Sequence, residues 1–406
     1  MERDIPRLRN DIDIFPTTYQ GEKAVLVKDP IGLFKNTVVL RGEALQIIGL
    51  IDGKRDAKEI QLELVRQRGG VFVSLEAVQD MICQLDAAIL LDCASYRKKR
   101  NELVKEYARL DTREPALAGL SYPGEADKLK DYIRSIMALG QISSTGWAGK
   151  KIAALVAPHI DLESGKTVYA KAYQVIKGTT PKRILLLGTG HKLQESFLSL
   201  TDKDFVTPLG RIKTDKDWVL RLKKAGSRVI SPYDITHKNE HSLEFQLLFL
   251  QYVLGTNFSL IPVLCGSFHR VLGQVSRTSE IPGMADFLSA LKLCVKDSRY
   301  PTLIVAGVDF SHIGLKFGQR YPAASLLIDA KAHDRSLVED ICEGDVEGFW
   351  RKVQKENNRY NICGFSTLAL LLEILAGKKG RLLGYDFWME DETQSGVSFA
   401  AVAFPA

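Results

Sequence analysis

TLIVAGVDFSH (302–312) is an apolar run that stops abruptly in an acid and an imidazole. A run without polar alternation reads as a strand buried on both faces, the habit of parallel sheets covered by helices. Two earlier stretches repeat the design: KIAALVAPH (151–159) ends in His159, and ILLLGTGH (184–191) ends in His191. FSLIPVLCG (258–266) is a fourth such run, and SGVSFAAVAFPA (395–406) reads as a terminal strand. Between them, KTVYAKAYQVIK (166–177), HSLEFQLLFLQYVL (241–254) and PGMADFLSALKLCVK (282–296) have helical character. The alternation predicts an α/β fold, a mostly parallel sheet with helices on both faces. Such sheets bind ligands in the crevice beyond the carboxyl ends of their strands. Three of the chain's seven histidines fall there.

At 406 residues the chain exceeds what one hydrophobic core usually organises, so two domains are expected. An apolar content of 45% with 26% charged residues describes a globular protein, and a net charge of +6 is mild for this length. No apolar stretch approaches the roughly 20 residues that span a bilayer, and MERDIPRLRNDIDIF (1–15) has no apolar leader core. The expectation is a cytoplasmic protein that contacts no membrane. Six scattered cysteines with no CxxC pair argue against a disulfide framework or a zinc ribbon.

The first hundred residues differ from the rest. FPTTYQGEKAVLVKD (15–29) and NTVVLRGEALQIIGLIDGKRDAKEI (36–60) suggest two short strands and a helix ending near Asp52–Gly53. A second helix follows from about Ala57 to Arg68. A third, with Ser74 as N-cap, puts Leu75, Val78, Met81, Ile82 and Leu85 on its apolar face. Together these make a small α+β module of winged-helix type over residues 1–96. It carries 12 Lys+Arg against 15 Asp+Glu, a net charge near −3. A winged helix that grips DNA needs a basic face to neutralise phosphate, so nucleic acid is not the expected ligand. The charged stretch 97–111 reads as a linker helix, and the second domain runs over 112–406, opening with a Pro-Gly turn and a helix that carries Leu129, Ile133, Ile136 and Met137.

His159, His191 and the Asp309/His312 pair each stand just beyond a strand, the first two before a helix. His241 and Glu244, spaced i and i+3 in NEHSLEFQLL (239–248), share one helical face. They read either as a pair facing substrate or as a surface ion pair. Glu240 just before them is explained by the helix dipole, which favours acids in a first turn. Cys363 in YNICGFSTLALLLEIL (360–375) sits where a long apolar helix begins, a place where a thiolate is stabilised and can act as nucleophile or metal ligand.

The motifs APH (157–159), GTGH (188–191), EHSLE (240–244), VDFSH (308–312), NICG (361–364) and the terminal SGVSFAAVAF (395–404), after the opening REPALAGLSYPGEADKL (113–129), resemble the Memo family in this order. In bacteria and archaea that family is component B of the AmmeMemoRadiSam system, with a fold similar to LigB-type class III extradiol dioxygenases. The resemblance implies His159, His191 and Cys363 as metal ligands, with Asp309, His312, His241 and Glu244 as catalytic groups in or beside the same pocket. It also implies a radical-SAM protein and an AMMECR-type protein as partners. The chain departs from the family's APHAGY and GPSHH: here Asp161–Leu162 and Lys192 stand instead, which alters the lining of the pocket. Two imidazoles and a thiolate suit Fe(II) first, with Cu or Zn as alternatives, and three protein ligands leave open positions. The function implied is a metal-dependent, oxidoreductase-like enzyme. A non-enzymatic peptide- or metal-binding scaffold and a zinc-dependent hydrolase are the alternatives. Residues 20–95, with the IDGKRDAKEI turn (51–60) between helices, resemble the PqqD-like family of peptide-recognising modules, which implies a peptide bound by the N-terminal domain.

Overall fold

The computed structural model describes residues 5–34, 37–140, 147 and 150–406. The first four residues of the stretch read for a leader lie outside these. The chain forms two compact units, 1–109 and 110–406.

The first unit contains β1 (Asp13–Tyr19), β2 (Glu22–Lys28), β3 (Val38–Arg41), α1 (Glu43–Ile48), α2 (Ala57–Gln67), α3 (Leu75–Ala87) and α4 (Ala94–Ala108). Its three strands form one antiparallel sheet, with β2 in the middle. There is thus one strand more than the sequence suggests, because FPTTYQGEKAVLVKD is a hairpin. Gln20 and Gly21 both take positive φ, 52° and 81°, as a tight turn matched to strand twist requires. The first helix also ends earlier than expected, at Ile48 before Gly49. Asp56 and Glu59 close a capping box on α2, and Ser74 caps α3 as expected. The small core joins Val27 and Leu40 of the sheet to Ile47, Ile60, Leu64, Val78 and Leu85 of the helices. The stretch expected as a linker helix belongs to α4. The Tyr96 hydroxyl donates to Asp11 Oδ2 at 2.7 Å, and the Arg9 guanidinium lies 4.5 Å from the Tyr96 ring centre, so the start of α4 is tied into the first unit.

The second unit contains β4 (Thr112–Arg113), α5 (Ala126–Met137), β5 (Ile152–Ala157), α6 (Leu162–Gln174), β6 (Arg183–Thr189), β7 (Leu198–Leu200), β8 (Asp204–Thr207), β9 (Gly210–Thr214) and α7 (Lys216–Ala225). It continues with α8 (His241–Leu254), β10 (Ser259–Cys265), α9 (Met284–Lys296), β11 (Thr302–Gly307), β12 (His312–Gly314), α10 (Ala323–Glu343), α11 (Val346–Lys355), α12 (Phe365–Leu375), β13 (Arg381–Glu390) and β14 (Ser395–Pro405). One large sheet runs through it in the order β12-β14-β5-β11-β6-β10-β9-β8-β4, with β13 on β14 and β7 on β10. Its central strands β5, β11, β6, β10 and β9 are parallel, and the terminal strand β14 is antiparallel to β5. The β8–β9 hairpin and β13 were not among the expected elements.

The apolar runs are continuous because alternate residues enter two different cores. Leu185, Leu187, Ile304 and Ala306 pack on one face with α7, α9, α10, α11 and α12. Ile184, Leu186, Leu303 and Val305 pack on the other with α5, α6 and α8. Each fully buried aliphatic side chain contributes about 1.5–3 kcal/mol, so neither face tolerates a polar residue. The central strands β5, β6, β10 and β11 accordingly carry polar residues only at their ends.

Two glycines bring α8 down onto those ends. A Cβ on Gly188 would lie 2.6 Å from Ser242 Oγ and 2.7 Å from Leu243 Cδ2, and one on Gly307 would strike the Ser242 carbonyl and lie 2.7 Å from Gln246 Nε2. Gln246 Nε2 in turn donates to the Pro158 carbonyl at 2.8 Å, so one helix registers the ends of β5, β6 and β11.

Candidate metal centre

His159, two residues beyond β5, is 2% exposed. Its Nδ1 lies 2.9 Å from the Gly307 carbonyl. A carbonyl only accepts, so Nδ1 carries the hydrogen and Nε2 presents its lone pair. That Nε2 is 3.3 Å from Cys363 Sγ and 3.6 Å from Asp309 Oδ2. Burial, then the neighbouring His191 and His241, holds the imidazole well below its usual pKa, so it is neutral.

His191 follows β6, its ring centre 5.0 Å from that of His159. Its Nδ1 faces both oxygens of Glu240, at 3.0 and 3.1 Å, and its backbone N–H donates to Glu240 Oε2 at 3.1 Å. Burial pulls its pKa down, but the Glu240 carboxylate outweighs burial and leaves it raised. His241 opens α8 and stacks on His191 with ring centres 4.8 Å apart. It is also 5.2 Å from His159, and its Nδ1 is 3.3 Å from Glu240 Oε1. Burial lowers its pKa to about 4.

Cys363 lies just before Gly364, the N-cap of α12. Its backbone N–H donates to the Phe310 carbonyl at 3.3 Å. Burial, then the charge of Asp309, pushes its thiol well above the usual pKa. The expected thiolate stabilisation by the helix start is outweighed, and the sulfur stays protonated unless a cation displaces the proton. One donor atom each from His159, His191 and Cys363 lies within 4.8 Å of the others, and the same holds for His191, Glu240 and His241. A metal bonded at about 2.0–2.3 Å to two such donors needs them about 3–4.5 Å apart. The first set fits a metal in both donor type and spacing.

Asp309 is 1% exposed. Its Oδ1 accepts from the backbone N–H groups of His159 and Ile160, at 2.9 and 3.2 Å. Burial nonetheless raises its pKa to about 7, which makes it able to hold or release a proton near neutrality. His312 opens β12 with Nδ1 3.1 Å from the Phe310 carbonyl and its ring edge-on to Phe317. Burial lowers its pKa to about 4. Beneath this loop the Ser311 hydroxyl donates to Asp334 Oδ1 at 2.6 Å, and the Tyr385 hydroxyl donates to Oδ2 at 2.7 Å. Asp334 lies mid-helix in α10, where no local pattern marks it.

Glu244 is not brought into this set. Its carboxylate pairs with the buried Arg113 guanidinium and accepts the N–H groups of Ala116 and Leu117 at 3.0 and 2.9 Å, and the Tyr122 hydroxyl. It ties β4 and the segment after it to α8, a buried ion pair in place of the surface pair considered from sequence. Glu240, by contrast, is the carboxylate among the histidines. Its position directly before His241 was the available signal, and its capping bond from the Ser242 N–H at 2.9 Å is only part of its role.

The family model described as Memo-like protein matches residues 113–403. A MEMO1 family protein of Aquifex aeolicus is 30% identical over 400 residues, 98% of this chain and all of the relative. One from Methanopyrus kandleri is 28% identical over 305 residues, 72% of this chain and 98% of the relative. One from Thermus thermophilus is 27% identical over 345 residues, covering 84% and 97%. Among the described residues no helix is long and apolar enough to cross a membrane. With its matched segment spanning most of the second unit and its relatives aligned nearly end to end, the chain belongs to the Memo family.

Proposed function

We propose that the second unit is a metal-dependent, oxidoreductase-like enzyme that holds Fe(II), or in its place Cu or Zn, through His159, His191 and Cys363. The observation that supports it is the convergence of two imidazoles and a thiol at the ends of β5 and β6 and before α12. A metal bound there would supply Lewis acidity and, if iron or copper, a redox centre with open positions. The Gly307 carbonyl keeps the Nε2 of His159 available. Asp309, poised near pH 7, and the neutral His312 and His241 hold and move protons beside the substrate.

On this reading the enzyme works with a radical-SAM protein and an AMMECR-type protein of the same system, in the cytoplasm. Its first unit acts as a PqqD-like winged-helix module that binds a peptide along a free edge of its three-stranded sheet. The large sheet with its strand-end site is in keeping with a LigB-like relationship. Anaerobic purification followed by iron, copper and zinc analysis tests the metal. About one equivalent is expected in the wild type, and a more than 100-fold loss of affinity in Cys363→Ala. Less than a tenth of an equivalent of any of the three after reconstitution would sink the proposal.

A further inference from the structure

We infer that Glu240 is a positioning residue that fixes the tautomers of two imidazoles at once, His191 and His241, so that both turn Nε2 away from it. The inference rests on the metal reading for its consequence but not for its geometry.

Four nitrogens surround this carboxylate. They are the backbone N–H and Nδ1 of His191, Nδ1 of His241 at 3.3 Å, and the Ser242 N–H at 2.9 Å. Glu240 is 5% exposed, so water does not compete for it. An ionised carboxylate has acceptors only, so Nδ1 of His191, which is hydrogen-bonded to it, must carry a hydrogen. Nδ1 of His241, 3.3 Å from Oε1, favours the same form because a lone pair there would face the negative charge. The lone pair of each neutral ring is then confined to Nε2. A helix cap alone would need the Ser242 N–H and nothing more. The two ring contacts are surplus to capping, and the rings of His191 and His241 stack 15° from parallel.

The two rings then serve different ends. His191 offers Nε2 to the metal set with His159 and Cys363. His241, outside that set, keeps an unprotonated nitrogen on the side facing away from Glu240, where it can take a proton from a bound substrate. Carboxylates that orient a ligating imidazole in this way typically carry 10–100-fold in metal affinity.

Glu240→Gln keeps the size and the capping oxygen Oε1 but replaces Oε2 by an NH2, which cannot accept from the backbone N–H or the Nδ1–H of His191 that face it. Ring ¹⁵N NMR of the apo protein above pH 8 reads the tautomers directly, and isothermal titration with Fe(II) or Zn(II) alone reads affinity. The wild type is expected to hold both rings as Nδ1–H. Glu240→Gln is expected to shift at least one ring to Nε2–H and to weaken affinity 10–100-fold. Wild-type rings that are Nε2–H would overturn the inference without any variant, as would a Glu240→Gln protein with wild-type tautomers and affinity within about two-fold. Nδ1–H rings in a wild type that binds no metal would leave the inference standing and remove the metal reading instead.

Discussion

The two ends of the central sheet are built on opposite principles. At the carboxyl ends of β5, β6 and β11 the titratable groups crowd into contact with graded burial: His159 and Asp309 are 2% and 1% exposed, and the His191 and His241 side chains 31% and 35%. At the amino ends lies a cleft of about 1080 Å³, lined by Lys150, Lys151, Lys177, Lys292, Lys296 and Lys378 over an apolar floor that includes Ile152, Leu303 and Ile374. Several of these lysines follow or end helices, where the exposed carbonyls and the dipole favour cations. The cleft end meets water with mostly exposed ammonium groups, whereas the other end lowers the pKa of His159, His241 and His312, raises that of Asp309, and leaves that of His191 raised by Glu240.

The contrast fails most visibly if buried charge near the histidines proves cheap to disturb. Arg113 and Glu244 are 1% and 0% exposed as side chains, so Arg113→Met leaves a carboxylate with no counter-charge and is expected to cost about 3–5 kcal/mol in urea unfolding. A cost below about 1 kcal/mol would mean that Glu244 is free to act elsewhere. Acid should expose the same asymmetry more mildly. Burial, opposed by Asp234, lowers the pKa of His237, just before α8, to about 4 from 6.5. Its neutral form is thus favoured on folding. The unfolded chain takes up the proton first, so this stabilisation is complete above pH 6.5 and is lost as pH falls towards 4. The loss is at most about 3 kcal/mol. A His237→Gln protein should show a flatter stability profile across that window, and an unchanged slope would contradict the assignment. The smallest effect belongs to the other end: Lys151→Ala with Lys296→Ala should change stability by less than about 0.5 kcal/mol and leave metal content alone.

The strands of the sheet were legible because burial on both faces writes continuous apolar runs, as in ILLLGTG (184–190) and TLIVAG (302–307). The β8–β9 hairpin was not, since DFVTPLGRIKT (204–214) mixes charged and apolar residues like a loop. Local pattern marked His159, His191 and Cys363 through their places beside secondary structure. It misweighed the two acids of α8, because what separates them is distant in sequence: Glu244 meets Arg113, 131 residues away, and Glu240 meets His191, 49 residues away. Spacing along a helix says which residues share a face, but not what that face will meet.

Gly188 and Gly307 give this site an unusual kind of gauge. The gap between the sheet and the first turn of α8 is set by hydrogens where any other residue would put carbon. These positions are consequently shut to drift in a way the ligands are not: a histidine may be exchanged for another donor, but a methyl group here moves His241, Glu240 and the end of β5 together. An alanine at Gly188 in a protein that still folds would be a spacer of known thickness, usable to ask how far the donors can part before the centre stops closing.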